Sequence, residues 1–279
     1  MSTLISPKGL QWFAALTKQC QSISTPIDSV RIADGELGAH SCRFLLVTAN
    51  PQAHFPRARR GEVGLQEGIA LAEAINDVIE QDAHSDSKRT LVAIVDTPSQ
   101  AYGRREEAMG IHQALAASVS AYARARQAGH PVIALLVGKA MSGAFLAHGY
   151  QADRILTLAN DAVMVHAMGK AAAARITMRT EDELDVLAQS VPPMAYDLKS
   201  YASLGLVDTM LELSPASSDS DVNEAPGELD TSLVEQALRT TQADILKQPR
   251  GLSRRLHGQN RQASLRVRQM LAEQWNAGA

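Results

Sequence analysis

Two short stretches hold the residue types best suited to chemistry: "DTPSQ" at 96–100 and "KAMSGA" at 139–144. Each follows an apolar run, "LVAIVDTP" and "PVIALLVG", and each places small residues where a strand turns into a helix. The second turn suits three readings. The backbone N–H groups of Gly143 and Ala144 open a helix, where unpaired amides and the helix dipole favour a substrate oxyanion. Ser142 is a candidate nucleophile on a strand-to-helix elbow. Alternatively, the small side chains only let helix and strand pack closely. Because the first turn repeats the arrangement at Ser99, the two turns together suggest a pair of backbone donors aimed at one oxygen, each worth roughly 3 to 4 kcal/mol in a transition state.

The flanking residues have both chemical and bland readings. Lys139 is either an anion contact or a solvated side chain, and Met141 and Ser142 complete the wall of the turn. His148 and His166 are candidate proton donors, although a hydrogen-bonded core or surface histidine is the commoner explanation of each. Asp96 reads as a cap at its strand end, and Ser142 as a helix-capping hydroxyl if it is not a nucleophile.

The elements that position these residues are legible from periodicity. "FLLVT" at 44–48 reads as the first core strand, followed by a basic loop, "PRARRGEVG". "LQEGIALAEAINDVIEQ" repeats apolar residues at Leu65, Ile69, Ala72, Ile75 and Ile79 and predicts an amphipathic helix. Residues 91–98 and 131–138 read as strands buried on both faces, joined by one long alanine-rich helix ended by Gly129. "RILTL" and "AVMVH" are short strand-like runs, and helical segments continue to about 206. Strand and helix alternate, which implies crossovers and a largely parallel sheet.

The reading divides the chain into an N-terminal lead-in at 1–43 (with a helix near 10–19), an α/β domain at 44–213, a flexible Ser/Asp/Pro-rich linker at 214–231, and a helical extension at 232–279 that carries Arg250, Arg254, Arg255, Arg261, Arg266 and Arg268. At 279 residues and 45% hydrophobic content, one large core is affordable. A net charge of −3 argues against a general nucleic-acid binder, because phosphate contacts require a basic excess. Cys20 and Cys42 have no second cysteine or histidine at ligand spacing, so neither a zinc site nor a disulfide framework is expected. No apolar run approaches the roughly 20 residues of a membrane span. The expectation is a soluble, cytoplasmic protein without nucleic-acid or membrane partners.

From "LVAIVDTPSQAYGRREEAMGIHQALAASVSAYARARQAGHPVIALLVGKAMSGAFLAHGYQADRILTLANDAVMVHAMG", with "GEVGLQEGIALAEA" upstream, the chain resembles the carboxyltransferase branch of the crotonase superfamily. Within it, the resemblance points to the gamma subunits of biotin-independent malonate decarboxylases. It covers about 44–206 and implies a crotonase-like fold. It departs from the family pattern at Ser99, where the family has the glycine of "DTPG", and at "AMSGA", where it has "GGSGG".

The resemblance implies a carboxy-lyase that acts with a beta subunit to decarboxylate a malonyl thioester, carried by an acyl carrier protein, to the acetyl thioester. Carried over by matching position, Ser99, Gly143 and Ala144 are the backbone catalytic donors. Lys139, Met141, Ser142 and His166 are the substrate-binding residues around them. No metal and no covalently bound cofactor is implied; the thioester sits on the carrier's prosthetic group. Two alternatives stand beside it: a subunit of a biotin-dependent acyl-CoA carboxyltransferase, and a Clp-type serine peptidase using Ser142 and His166. An acidic carrier would give the basic clusters, Arg57, Arg59 and Arg60 in the loop and the arginines of the tail, a docking role.

Overall fold

The computed structural model describes residues 8–214, 225–248 and 253–277. Most of the expected linker, Arg250 of the tail and the first seven residues lie outside these. An eight-stranded sheet runs β1 (Gln21–Ile23), β2 (Val30–Leu37), β3 (His40–Val47), β4 (Thr90–Thr97), β5 (Val132–Met141), β6 (Arg154–Leu158) and β8 (Thr209–Leu211), with β7 (Met164–His166) beside β5. Strands from β3 onward pair in parallel; β1, β2 and β3 are antiparallel. The sheet is therefore largely parallel, as the alternation predicts.

The residues read as a lead-in are built into this sheet. The helix α1 (Lys8–Leu16) inserts Trp12 and Leu16 into the core, and β1 to β3 form its antiparallel edge. Across that edge Asp34 and Arg43 are paired in register, and the Arg43 guanidinium meets the Asp34 carboxylate with two bonds of 2.6 and 2.7 Å while a third reaches the Ala74 carbonyl at 2.8 Å. Bidentate geometry is what makes a nearly buried arginine tolerable here.

Every residue of β4 is buried, so both faces of the sheet are covered. One layer contains α2 (Leu65–Gln81), α4 (Ile111–Gln127) and α5 (Ser142–Ala147); α1 and α9 (Glu228–Lys247) pack together against the sheet as another. In α2 the buried stripe is Leu71, Ala74, Ile75 and Val78, and Ile69, expected inside, is 44% exposed. The rotation follows from the α2–α4 crossing: a Cβ on Gly68 would stand 2.6 Å from the Ala114 carbonyl oxygen, so only a bare backbone allows this approach. The long helix expected before β5 is broken into α3 (Arg104–Ala108) and α4, because Gly110 takes a left-handed φ of 84°.

Val95 pairs with Leu136 and Thr97 with Ala140, so two extra residues bulge out of β5. The Asp96 carboxylate fills that gap. Its Oδ1 accepts from Lys139 N at 3.0 Å and its Oδ2 from Gly9 N at 3.1 Å, and a Cβ on Gly138 would lie 2.2 Å from Oδ1. Beyond the bulge β5 changes neighbour, from β6 to β7. The bulge thereby re-aims the turn that follows.

After β7 come α6 (Lys170–Thr177), α7 (Glu181–Ser190), a short 3-10 turn (Pro192–Met194) and α8 (Leu198–Ser203). The C-terminal extension is helical, with α10 (Gln262–Ala277) after α9 and a further 3-10 turn (Ser253–His257) between them. The first turn of α9 falls within the expected linker: Asp230 is buried and accepts from Ser214 N and Oγ, both at 2.9 Å.

Candidate active site

The two turns singled out by composition meet in space. Met141 ends β5 and caps α5, and Ser142 starts the helix at φ 59°, a left-handed value rare for a residue with a Cβ. Gly143 follows, and its N–H donates to Oε1 of Gln100 in the first turn at 2.9 Å. Gln100 is itself held by a parallel bridge to Val63, with Val63 N donating to Ser99 O at 3.1 Å and Ala101 N to Val63 O at 2.7 Å. Val63 is positioned in turn by the start of α2, where Glu67, buried, accepts from Gly64 N and Ser29 Oγ. The "GEVGLQEG" motif is thus the scaffold under the first turn. Ala144 is fully buried against the sheet.

A cavity of about 330 Å³ borders the second turn, with Ser142, Gly143, Leu146, His166, Tyr201 and Leu206 among its walls. His166 reaches it because β7 pairs with β5 in a register that sets Met141 opposite His166. The His166 ring stacks on Tyr196 with centroids 3.9 Å apart and 15° between planes. Its Nδ1 lies 2.9 Å from the Met168 carbonyl and 3.1 Å from the Met168 amide nitrogen, while its buried Nε2 has no hydrogen-bond partner. Burial lowers the His166 pKa below the ordinary imidazole value, opposed by the hydrogen bond to Met168. Lys139 and Met141 are on β5, just before Ser142, and are not among the residues lining the cavity.

His148, the other candidate proton donor, is a core residue. Its Nε2 donates to the Ile94 carbonyl at 2.9 Å and its Nδ1 accepts from the Tyr122 hydroxyl at 3.0 Å. The carbonyl can only accept, which fixes the tautomer. Complete burial pushes its pKa down to about 4. No hydrogen bond joins Ser142 to His166, and no carboxylate orients the imidazole among the described residues, so the nucleophile–base–orienter geometry of a serine peptidase is absent there. Also among the described residues, no group of three or more His, Cys, Asp or Glu is placed to hold a metal ion. No described helix is long and apolar enough to cross a membrane.

The basic clusters are largely spent on structure. Arg57 pairs with Glu62 and lies 4.3 Å over the Tyr102 ring, and Arg59 donates to Ala53 O at 2.9 Å. In the tail Arg255 is buried and donates to Tyr150 O and Ala152 O at 3.0 and 2.7 Å, and Arg254 pairs with Asp208. Arg266 and Arg268 stay exposed on α10. Sequence reasoning missed Gln100; its only signal is adjacency to the matched "DTPS", since its partner lies 43 residues away.

The profile of the malonate decarboxylase gamma subunit family matches residues 58–275. A malonyl-S-ACP:biotin-protein carboxyltransferase of Malonomonas rubra is 35% identical over 185 residues, which cover 65% of this chain and 63% of that protein. The chain thus spans less than two thirds of that relative. Among solved structures, a Pseudomonas malonate decarboxylase hetero-tetramer in complex with coenzyme A matches with 57% identity and a TM-score of 0.88, covering 96% of this chain and 99% of that one. A Pseudomonas malonate decarboxylase MdcD–MdcE hetero-dimer matches with 54% identity and a TM-score of 0.85 over the same shares. Transcarboxylase 12S, at 17% identity and a TM-score of 0.59 over 80% of this chain and 38% of its own, shares the fold alone, the one expected of a crotonase-type carboxyltransferase. With the profile covering most of its length, this chain belongs to the malonate decarboxylase gamma subunit family.

Proposed function

We propose that this chain works with a beta subunit to decarboxylate a malonyl thioester carried by an acyl carrier protein, in the cytoplasm, where Cys20 and Cys42 stay reduced thiols. One observation carries the reading: the Gly143 N–H already meets an acceptor oxygen, from the opposite turn, at 2.9 Å. That is the geometry an oxyanion requires of its donor. Family membership and the Pseudomonas likenesses support the substrate and the partner.

The chemistry needs no nucleophile. The bond between Cα and the carboxylate breaks, CO2 leaves, and the electron pair moves into the thioester as an enolate with charge on its oxygen. Gly143, with Ala144 and the first turn at Ser99, supplies donors to that oxygen; a preorganised donor stabilises the enolate more than the ground-state carbonyl. Ser142 and His166 line the pocket, while Met141 and Lys139 sit on the strand end behind it. A proton then adds at Cα. With His148 committed to the core, the proton comes from His166 or from water.

The test uses the chain assembled with its beta subunit and malonyl-loaded carrier protein, with avidin present. Avidin-insensitive CO2 release is expected, and avidin-sensitive carboxyl transfer would favour the biotin-dependent alternative. A Cβ at Gly143 meets the Gln100 and Leu115 side chains at 3.4 to 3.7 Å, so a methyl fits and the further branches of Val crowd the turn. Gly143→Val should lower kcat by about 100-fold or more in an assembled complex; retained turnover would remove the oxyanion role.

A further inference from the structure

We propose that the Gln100 side chain is an internal place-holder for the oxyanion: it occupies the Gly143 amide when substrate is absent and withdraws when the thioester oxygen arrives. The inference rests on the oxyanion reading above. Gln100 Oε1 accepts from Gly143 N at 2.9 Å, while its own NH2 group has no partner among the described residues. Its backbone is pinned by the bridge to Val63, so the exchange requires rotation of the side chain only. The side chain is half-buried, which leaves it somewhere to go.

The arrangement answers a definite physical need. A half-buried amide such as that of Gly143 loses free energy without an acceptor, and a helix-opening N–H has no partner within its own helix. A neutral amide oxygen satisfies it weakly. An enolate oxygen binds the same N–H about twice as strongly, because the bond is charge-assisted. The place-holder is therefore displaced most effectively by the species that the reaction forms, while a neutral ground-state carbonyl competes with it on nearly equal terms. For the substrate this is a tax: binding is weakened by the fraction of molecules in which Gln100 holds the amide.

Removing the competitor should relieve the tax. In the assembled complex with malonyl-loaded carrier protein, Gln100→Ala and Gln100→Leu are each expected to lower KM by about two- to tenfold, the population factor set by one ordinary neutral hydrogen bond. Gln100→Glu, a stronger and negatively charged acceptor, is expected to raise KM by about tenfold or more. The Leu variant keeps the bulk of the side chain, so loss of packing is separated from loss of the acceptor. An unchanged KM in both the Ala and Leu variants overturns the proposal, and so does a raised KM in both, which would mean that Gln100 holds the substrate. If Gly143→Val inactivates the complex while Gln100→Ala and Gln100→Leu leave KM unchanged, the oxyanion role stands and the place-holder falls. If Gly143→Val stays active, the oxyanion reading itself falls.

Discussion

The clearest quantitative consequence of the structure concerns His148. In the unfolded chain it titrates at the ordinary value of 6.5, whereas burial lowers it to about 4 in the fold. Between these values the unfolded state binds the extra proton, so stability rises with pH through this window and is lost as pH falls from 6.5 toward 4. The full difference corresponds to about 3 kcal/mol, of which about 2 kcal/mol is lost between pH 7 and pH 5. His148→Gln is the informative perturbation, because an amide can still donate to the Ile94 carbonyl and accept from Tyr122. Urea unfolding of wild type and variant, followed by circular dichroism across that pH range, should show the variant's stability falling by about 2 kcal/mol less. His130 and His166 are shifted in the same direction and remain in both proteins, so the difference isolates His148. Parallel pH profiles would refute the reasoning. Loss of turnover in a folded, assembled variant would return His148 to the chemistry.

Two further outcomes follow from backbone geometry. Ser142→Gly relieves a left-handed residue of its Cβ and should leave stability unchanged or raise it by up to about 1 kcal/mol with turnover retained, as judged by thermal unfolding and CO2 release; abolished turnover would revive a chemical role for the hydroxyl. Gly138→Ala drives a methyl into the Asp96 carboxylate, which links Gly9 and Lys139, and should cost about 2 to 4 kcal/mol in denaturant unfolding, with turnover falling because the bulge that aims the 142–144 turn is disturbed. A well-folded, fully active Gly138→Ala protein would show that the bulge does not aim the turn.

The readable part of this protein is the part governed by local chemistry. Strands buried on both faces appear as unbroken apolar runs, and residues 91–97 and 132–137 are legible for that reason. The turns at 96–100 and 139–144 stand out because small residues interrupt such runs. The antiparallel edge did not stand out, since "VRIADGEL" mixes charge and glycine, and its burial depends on Arg43 finding Asp34 across the hairpin and Ala74 on a helix. One position of the α2 stripe, Ile69, was misread for a similar reason, while Ala72 and Ile75 are buried as expected. Apolarity favoured Ile69, but the closest contact is set by what Gly68 lacks.

By itself, then, the sequence determined the alternation of strands and helices, the two turns with chemical potential, and the motifs that place the chain in its family, all of which are written in neighbouring residues. Tertiary structure alone decided that Asp96 enters the β5 ladder, that β7 delivers His166 to the cavity while His148 is withdrawn into the core, and that Gln100 covers the Gly143 amide. Each of these is a contact between residues distant in the chain, where identity at one position carries no information about its partner until the sheet has set the register between them.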